Sequence, residues 1–86
     1  MKKIIKISSE DCAPCKMYGP TFDKWVYEQD NLEVIYSRID SDPTLASKYR
    51  VMSVPTTILL DEQENVLDLR VWPLTKDELD SMLKQD

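Results

Sequence analysis

Two strand-like segments enclose one long helix-like segment in the first 39 residues, and this order restricts the fold more than any other feature. Residues 2–8 carry three isoleucines, β-branched residues that suit a strand covered on both faces. From residue 15 to about residue 29, apolar residues recur at spacings of three and four, the period of a helix with one buried face. Residues 32–39 predict a second strand. A strand, a crossover helix and another strand imply a right-handed parallel pair.

The helix-like segment contains two residues that disfavour a regular helix. Pro20 removes a backbone hydrogen bond and predicts a kink, and Gly19, the sole glycine, lies at the same place. The alternative is that the helix ends at about Tyr18. In either case we expect Tyr18, Phe22 and Trp25 to belong to the core, because they share one helical face.

The second half of the chain predicts a short helix, a hairpin and a closing helix. Residues 40–43 look like a helix start with proline in the first turn. Residues 56–60 and 66–71 predict a third and a fourth strand, close enough in sequence to pair as a hairpin. Thr75 and Glu78 form a capping-box pattern ahead of the last helix.

The only two cysteines, Cys12 and Cys15, lie where the first strand gives way to the long helix. If the helix begins at about Cys12, the second sulfur follows three residues later on the same face, and the two thiols can meet. The free backbone N–H groups and the positive dipole end of a helix N-terminus favour a thiolate at Cys12. Because the thiolate is the reactive form of cysteine, the pattern predicts a redox site.

Length, composition and net charge exclude several other classes of function. At 86 residues, with 42% hydrophobic and 31% charged residues, we expect residues 1–86 to form one globular domain. The net charge of −5 argues against a nucleic-acid partner, and the absence of histidine excludes a Cys-His hydrolase and a histidine-ligated metal. Lys6 interrupts the N-terminal apolar run, so neither an export signal nor a membrane span is predicted. We therefore expect a cytoplasmic monomer without bound metal.

Three separated motifs resemble the thioredoxin family. They are Cys-Ala-Pro-Cys-Lys-Met at residues 12–17 with Pro20 eight residues after the first cysteine, residues 38–49, and Val-Pro-Thr at residues 54–56. The resemblance implies an α/β thioredoxin fold of order βαβαββα, with a four-stranded mixed sheet flanked by three helices. The family's longer members carry an additional strand and helix at the N-terminus, for which this sequence shows no counterpart.

The same resemblance implies a thiol-disulfide oxidoreductase that reduces protein disulfides inside the cell. Cys12 attacks a target disulfide, and the more buried Cys15 resolves the mixed disulfide. The family's proline that matches Pro55 follows a cis bond and faces the dithiol, so Val54 and Pro55 are expected to bind an extended target segment. No cofactor beyond the Cys12–Cys15 disulfide is implied. The expected partners are target proteins with disulfides and a reductase or a low-molecular-weight thiol as donor.

Three residues depart from the usual thioredoxin pattern. Asp11 replaces a tryptophan, and its charge opposes a thiolate at Cys12 unless it caps the helix. Lys6 replaces a buried aspartate; it either faces the thiols or, as the favoured interpretation, turns to solvent, because burying an ammonium is costly. Trp72 replaces a glycine of the substrate groove and is either a wall of that groove or a partly buried strand-end residue.

Two alternatives stay open at this level. The departures at Asp11, Lys6 and Trp72 allow a thioredoxin-fold binding or accessory subunit in which the dithiol is incidental. A metal site requires ligands beyond a single Cys-x-x-Cys. Ala13 and Pro14, between the cysteines, are expected to tune the loop, and they favour the thioredoxin type over glutaredoxins, which usually have tyrosine in the motif.

Overall fold

The computed structural model of the chain describes residues 1–85, and its elements follow the predicted order βαβαββα. The strands are β1 (Lys2–Ser8), β2 (Leu32–Arg38), β3 (Thr56–Leu60) and β4 (Val66–Arg70). The helices are α1 (Ala13–Tyr27), α2 (Thr44–Lys48) and α3 (Lys76–Leu83). Both ends of each strand agree with the sequence-based prediction to within one residue.

The four strands form one mixed sheet in the order β2-β1-β3-β4. Strand β1 pairs in parallel with β2, where Ile5 is opposite Ile35, and antiparallel with β3, where Ile5 is opposite Ile58. Strands β3 and β4 form the predicted hairpin, with a register shift between Leu59 and Leu60. Because β1 is an inner strand and a short loop connects it to α1, the start of this helix lies at the carboxyl end of an inner strand of the sheet.

The sheet separates two apolar clusters. The first packs α1 and α3 against one face and contains Ile4, Tyr18, Phe22, Trp25, Leu59, Leu74, Leu79 and Met82. The second lies on the α2 face and contains Ile5, Ile7, Ala46, Ile58 and Leu60. Successive side chains of β1 point to opposite faces, so this strand supplies both clusters. The prediction that β1 is covered on both faces is confirmed.

Helix α1 continues through Pro20, so the alternative of a helix end near Tyr18 is wrong. Its buried residues are Cys15, Tyr18, Phe22 and Trp25. The indole Nε1 of Trp25 donates a hydrogen bond of 2.8 Å to the carboxylate of Asp80 on α3. This bond and the shared apolar cluster hold α1 against α3, and together they fix the position of the helix start.

Helices α3 and α2 are capped at their N-termini in different ways. At α3, Thr75 Oγ1 accepts the N–H of Glu78 at 3.1 Å and Glu78 accepts the N–H of Thr75 at 3.0 Å, which confirms the capping box. Helix α2 begins after Pro43, not with proline inside its first turn as predicted. The Asp42 carboxylate accepts the N–H of Thr44 at 3.1 Å. This bond satisfies one of the free N–H donors at the start of the helix.

Candidate functional site

Cys12 and Cys15 form a disulfide at the start of α1, with their Cα atoms 5.2 Å apart. Cys12 is the N-cap residue in an extended conformation, and its Sγ accepts the backbone N–H of Cys15 at 3.1 Å. After reduction, this N–H and the positive end of the helix dipole favour a thiolate on Cys12. The cap is thus the sulfur itself, and the suggestion that Asp11 caps the helix is wrong.

Protein atoms cover most of both cysteines in the disulfide form. Cys12 is 8% exposed and Cys15 is 6% exposed. Cys15 is therefore the more buried of the two, as predicted, but only by a small margin. Their neighbours distinguish them more clearly. The Sγ of Cys12 lies 3.8 Å from the carbonyl oxygen of Val54. Cys15 instead borders a groove lined with Ser8, Ser9, Glu10, Lys16 and Arg38.

The peptide bond between Val54 and Pro55 is cis, as the resemblance implied. Val54 is partly exposed and Pro55 is buried. The hydroxyl of Thr56 donates a hydrogen bond of 2.7 Å to the carbonyl of Ser53 and holds this loop at the start of β3. The loop therefore presents the main-chain carbonyl of Val54 beside the sulfur of Cys12.

Lys6 is buried, and the favoured interpretation that its side chain turns to solvent is wrong. The residue is 8% exposed, and its ammonium lies 5.2 Å from the ring centres of Phe22 and Tyr36 and 5.9 Å from that of Tyr18. Burial lowers the pKa of Lys6, and the negative charge of Asp23 opposes part of that shift. The negative faces of the three rings replace part of the lost hydration, which is how this site holds an ammonium.

A buried pair of hydroxyl groups connects α1 to β3. The Tyr18 and Thr57 side-chain oxygens are 2.8 Å apart, and both residues are buried. Burial raises the pKa of Tyr18 to about 12, with a smaller opposing effect from the Thr57 hydrogen bond. Because Tyr18 follows Cys15 by three residues and Thr57 follows Pro55 by two, this contact helps to keep the disulfide and the cis-proline loop in register.

The loop that precedes the disulfide is attached to the end of β2. Asp40 accepts the backbone N–H of Glu10 at 3.1 Å, and the Arg38 guanidinium lies 3.4 Å from Asp40 and 3.6 Å from the Glu10 carboxylate. The Glu10 N–H bond first, and then the Arg38 charge, lower the pKa of Asp40. Since exposed ion pairs contribute little energy, the main effect is to position the loop.

Trp72 lies just beyond β4 and is 46% exposed. Its Nε1 donates a hydrogen bond of 3.4 Å to the Glu78 carboxylate, and the Arg70 guanidinium lies 5.9 Å from the ring centre. Two neighbours therefore hold one edge and one face of the indole while about half of the residue stays accessible. Contact between Trp72 and a target stays a prediction.

An open groove that the sequence analysis did not predict lies beside the residues between the two cysteines. Its volume is about 530 Å³, and its apolar lining includes Ala13, Pro14, Met17, Pro73 and Leu74. We call it the Met17 groove, because Met17 is 79% exposed there. The available signal was Met17 itself, an apolar residue on α1 that lies outside the buried Tyr18, Phe22 and Trp25 face.

Within residues 1–85, no three His, Cys, Asp or Glu side chains are grouped so as to hold a metal ion. The helices that the structure describes include none long and apolar enough to cross a membrane. The chemistry that the geometry supports is thiol-disulfide exchange, for which the sulfur atoms of Cys12 and Cys15 suffice.

A disulfide at a helix N-terminus, beside a cis-proline loop on a four-stranded mixed sheet, defines the class of thiol-disulfide oxidoreductases with the thioredoxin fold. The sequence model of the family described as Thioredoxin matches residues 1–85. The chain belongs to the thioredoxin family and is a protein-disulfide oxidoreductase that uses its own disulfide in place of a separate cofactor.

Curated relatives agree with this assignment. A thioredoxin-like protein of Bacillus subtilis, the SPbeta prophage-derived YosR, is 32% identical over 83 residues, covering 96% of each chain. The thioredoxin of Mycoplasmoides gallisepticum is 26% identical and is covered over 82% of its length. The thioredoxin of Staphylococcus epidermidis is 32% identical over 65 residues, which span 74% of this chain and 62% of that one.

Solved structures share the fold. A malarial protein superimposes with a TM-score of 0.86 at 24% identity, covering 98% of this chain and 94% of the other. Malaria parasite thioredoxin-2, described as a component of protein secretion machinery, gives 0.87 at 24% identity, with 98% and 82% coverage. At these identities the likeness shows the architecture, a four-stranded mixed sheet with three helices.

Proposed function

We propose that this oxidoreductase acts in the cytoplasm as a monomeric, single-domain reductant of disulfides in other proteins, over residues 1–86. The observation that carries the proposal is the hydrogen bond from the Cys15 N–H to the sulfur of Cys12, beside the carbonyl of Val54. One such bond activates Cys12 moderately. This suits a reductant, because strong stabilisation of the thiolate favours the reduced enzyme and hence the oxidation of its targets.

The first step forms a mixed disulfide. The Cys12 thiolate attacks one sulfur of the target disulfide, and the other target sulfur leaves as a thiolate with the electron pair of the broken bond. The cis-proline loop supports this step because Val54 and Pro55 lie beside the attacking sulfur and offer backbone for an extended target segment.

The second step releases the target. Cys15 loses its proton to solvent, and its thiolate attacks the Cys12 sulfur, so that the second target sulfur leaves and the Cys12–Cys15 disulfide forms again. Two electrons have then passed from the dithiol to the target. A reductase or a low-molecular-weight thiol returns the disulfide to the dithiol.

Other residues are proposed to adjust these steps. Ala13 and Pro14 set the loop between the sulfurs, and the charge of Asp11 counteracts the helix dipole at Cys12. Lys6 adds positive charge behind α1, and Trp72 offers an accessible ring near the end of β4. These roles follow from position and charge.

Reduction of insulin disulfides with dithiothreitol as the electron donor tests the proposed function. The folded protein is expected to accelerate insulin precipitation, and Cys12→Ser is expected to be inactive. A folded wild-type protein that adds nothing to the rate of dithiothreitol alone contradicts the proposal. The reduction potential of the pair, measured against glutathione and thioredoxin buffers, decides the direction, because an oxidising value indicates disulfide formation instead.

A further inference from the structure

We propose that the groove beside Cys15 binds small thiols that carry a carboxylate, and that such a thiol reduces the disulfide by attacking the sulfur of Cys15. The inference rests on the proposed function and assigns the chemical class of its electron donor. We call this site the Arg38 groove. Its volume is about 280 Å³, which suits a small molecule, and its lining residues are Ser8, Ser9, Glu10, Cys15, Lys16 and Arg38.

The Arg38 groove and the cis-proline loop border different cysteines. The lining of the groove includes Cys15 but not Cys12, Val54 or Pro55. Cys12 instead lies beside the loop, with its Sγ 3.8 Å from the carbonyl oxygen of Val54. A small thiol in the groove therefore meets Cys15, and it leaves the surface beside Cys12 free for a target protein.

Two cationic side chains favour a negatively charged ligand in the groove. Lys16 forms none of the ion pairs found among residues 1–85. Arg38 contacts Glu10 and Asp40 through Nη2 alone, at 3.6 and 3.4 Å, so its other nitrogen atoms can donate to the carboxylate of a ligand. Asp40 lies outside the lining, and Glu10 sets one negative charge against the two positive charges.

The overall charge of the chain makes a preference for an anionic thiol informative. The net charge is −5, so the field of the whole protein disfavours such a thiol. Interactions over more than about 8 Å are largely screened at physiological ionic strength, which leaves the nearby Lys16 and Arg38 with the larger effect. A higher rate for an anionic thiol therefore indicates a local cationic site.

The stability of the leaving thiolate favours reaction at Cys15. The donor thiolate attacks the Cys15 sulfur, the bond between the two cysteines breaks, and Cys12 leaves as a thiolate with the electron pair. The Cys15 N–H, 3.1 Å from the Cys12 sulfur, and the positive end of the helix dipole stabilise this thiolate, and a stabilised thiolate leaves faster.

A second donor molecule completes the reduction. Its thiolate attacks the donor sulfur of the mixed disulfide, and Cys15 leaves as a thiolate that takes a proton from water. The products are the reduced protein and the disulfide of the donor. Two donor thiols have then supplied the two electrons that the dithiol passes to a target.

Mercaptopropionate and mercaptoethanol, which differ mainly by a carboxylate, test the charge preference. The rate of each thiol with the oxidised protein is measured by acid quenching, alkylation and mass spectrometry, and is divided by its rate with hydroxyethyl disulfide to remove differences in intrinsic reactivity. The normalised rate of mercaptopropionate is expected to be about threefold higher, the effect of an exposed charge pair. The ratio is expected to approach one in about 1 M salt. Equal normalised rates at low salt overturn the inference.

Charge variants locate the site. Lys16→Gln is expected to lower the ratio roughly twofold, and Glu10→Gln is expected to raise it above that of the wild type. The matched control is Lys24→Gln, which makes the same charge change at an exposed position of α1 outside the groove lining. An unchanged ratio in Lys16→Gln, or an equal loss in Lys24→Gln, overturns the assignment to this groove.

The two single-cysteine variants identify the sulfur that reacts. Dithiodipropionate, the disulfide of mercaptopropionate, reacts with a free cysteine of the protein in the reverse of the second step. Its rate relative to that of hydroxyethyl disulfide is expected to be higher for Cys12→Ser, which retains Cys15, than for Cys15→Ser. Equal relative rates, or a higher one for Cys15→Ser, overturn the attack at Cys15.

Insulin reduction with dithiothreitol, an uncharged dithiol, separates this inference from the proposed function. A wild-type protein that accelerates insulin reduction but shows no preference for mercaptopropionate overturns the groove proposal and leaves the reductase activity intact. A folded protein that does not accelerate insulin reduction contradicts the proposed function itself.

Discussion

The sulfur of Cys12 has two tasks, since it caps α1 and is the atom proposed to react. Most N-caps are serine, threonine, aspartate or asparagine, whose oxygen accepts a first-turn N–H. Here the Cys15 N–H donates to sulfur instead. Capping and activation are therefore one interaction, and the residue that follows the cap by three positions is the second cysteine of the site.

This geometry predicts different reactivities for the two single-cysteine variants. Cys15→Ser keeps Cys12 with its N–H donor, so we expect it to be alkylated by iodoacetamide at pH 7 about tenfold faster than Cys12→Ser. Cys15→Ser is also expected to accumulate a mixed disulfide with an oxidised target, detected by mass spectrometry. Equal alkylation rates in two folded variants, checked by circular dichroism, contradict the proposed activation of Cys12.

Lys6 illustrates a competition between desolvation and aromatic contact. Burial lowers its pKa, so the loss of hydration outweighs the attraction of Asp23. Replacing a buried charge by an apolar side chain of similar length is often neutral or stabilising. The methionine sulfur in its place makes favourable contacts with aromatic rings.

Lys6→Met is accordingly expected to raise the free energy of unfolding by about 1 kcal/mol, measured by urea denaturation at pH 7. Lys24→Met, at an exposed position of α1, is the control and is expected to change stability by less than about 0.5 kcal/mol. A loss of stability in Lys6→Met shows that the three ring contacts outweigh the cost of burial.

Helix α3 positions one side of the site at the scale of secondary structure. Its N-cap Thr75 lines the Met17 groove, and its buried residues belong to the same apolar cluster as α1. The capping box therefore acts on more than the helix end, because it also holds the segment of Pro73 and Leu74 beside the cysteines.

Thr75→Ala removes the acceptor for the Glu78 N–H and is expected to lower the free energy of unfolding by about 1 kcal/mol in urea denaturation. Thr75→Ser keeps the hydroxyl and serves as the control, with most of the stability retained. If the two variants are equally destabilised, the loss comes from the missing methyl group and not from the cap.

The buried phenol of Tyr18 links the stability of the whole molecule to alkaline pH. Burial raises the pKa of Tyr18 to about 12, above the value of 10 for an exposed tyrosine. As the pH rises, Tyr18 therefore loses its hydroxyl proton in the unfolded chain before it does so in the folded protein. Stability from the neutral phenol is fully present below pH 10 and is lost as the pH rises toward 12.

We therefore expect the free energy of unfolding to fall between pH 10 and pH 12, with Tyr18 contributing at most about 1.4 kcal/mol per pH unit. Urea denaturation across this range is expected to show a smaller slope in Tyr18→Phe. The control is Tyr27→Phe, which removes an exposed hydroxyl from the same helix. An unchanged slope in Tyr18→Phe contradicts the role of this buried phenol.

Features that depend on interactions between residues close in sequence could be predicted, and features that depend on tertiary contacts could not. Strand positions and the Thr75–Glu78 capping box could be predicted because alternation, helical period and capping act over a few residues. Pro20 was ambiguous, since helix continuation depends on the packing of Tyr18, Phe22 and Trp25 on the sheet. The burial of Lys6 could not be predicted, because it required Tyr36 of β2 to lie beside α1.

The sequence by itself determined the order of elements, the parallel pairing of β1 with β2, and the placement of two cysteines at the start of a helix. These depend on periodicity and on spacing along the chain. Only the tertiary structure decided that the Val54 carbonyl lies beside Cys12 and that the Met17 groove opens next to the disulfide. Such contacts join residues about 40 to 60 positions apart, and their geometry depends on how helices and loops pack on the sheet.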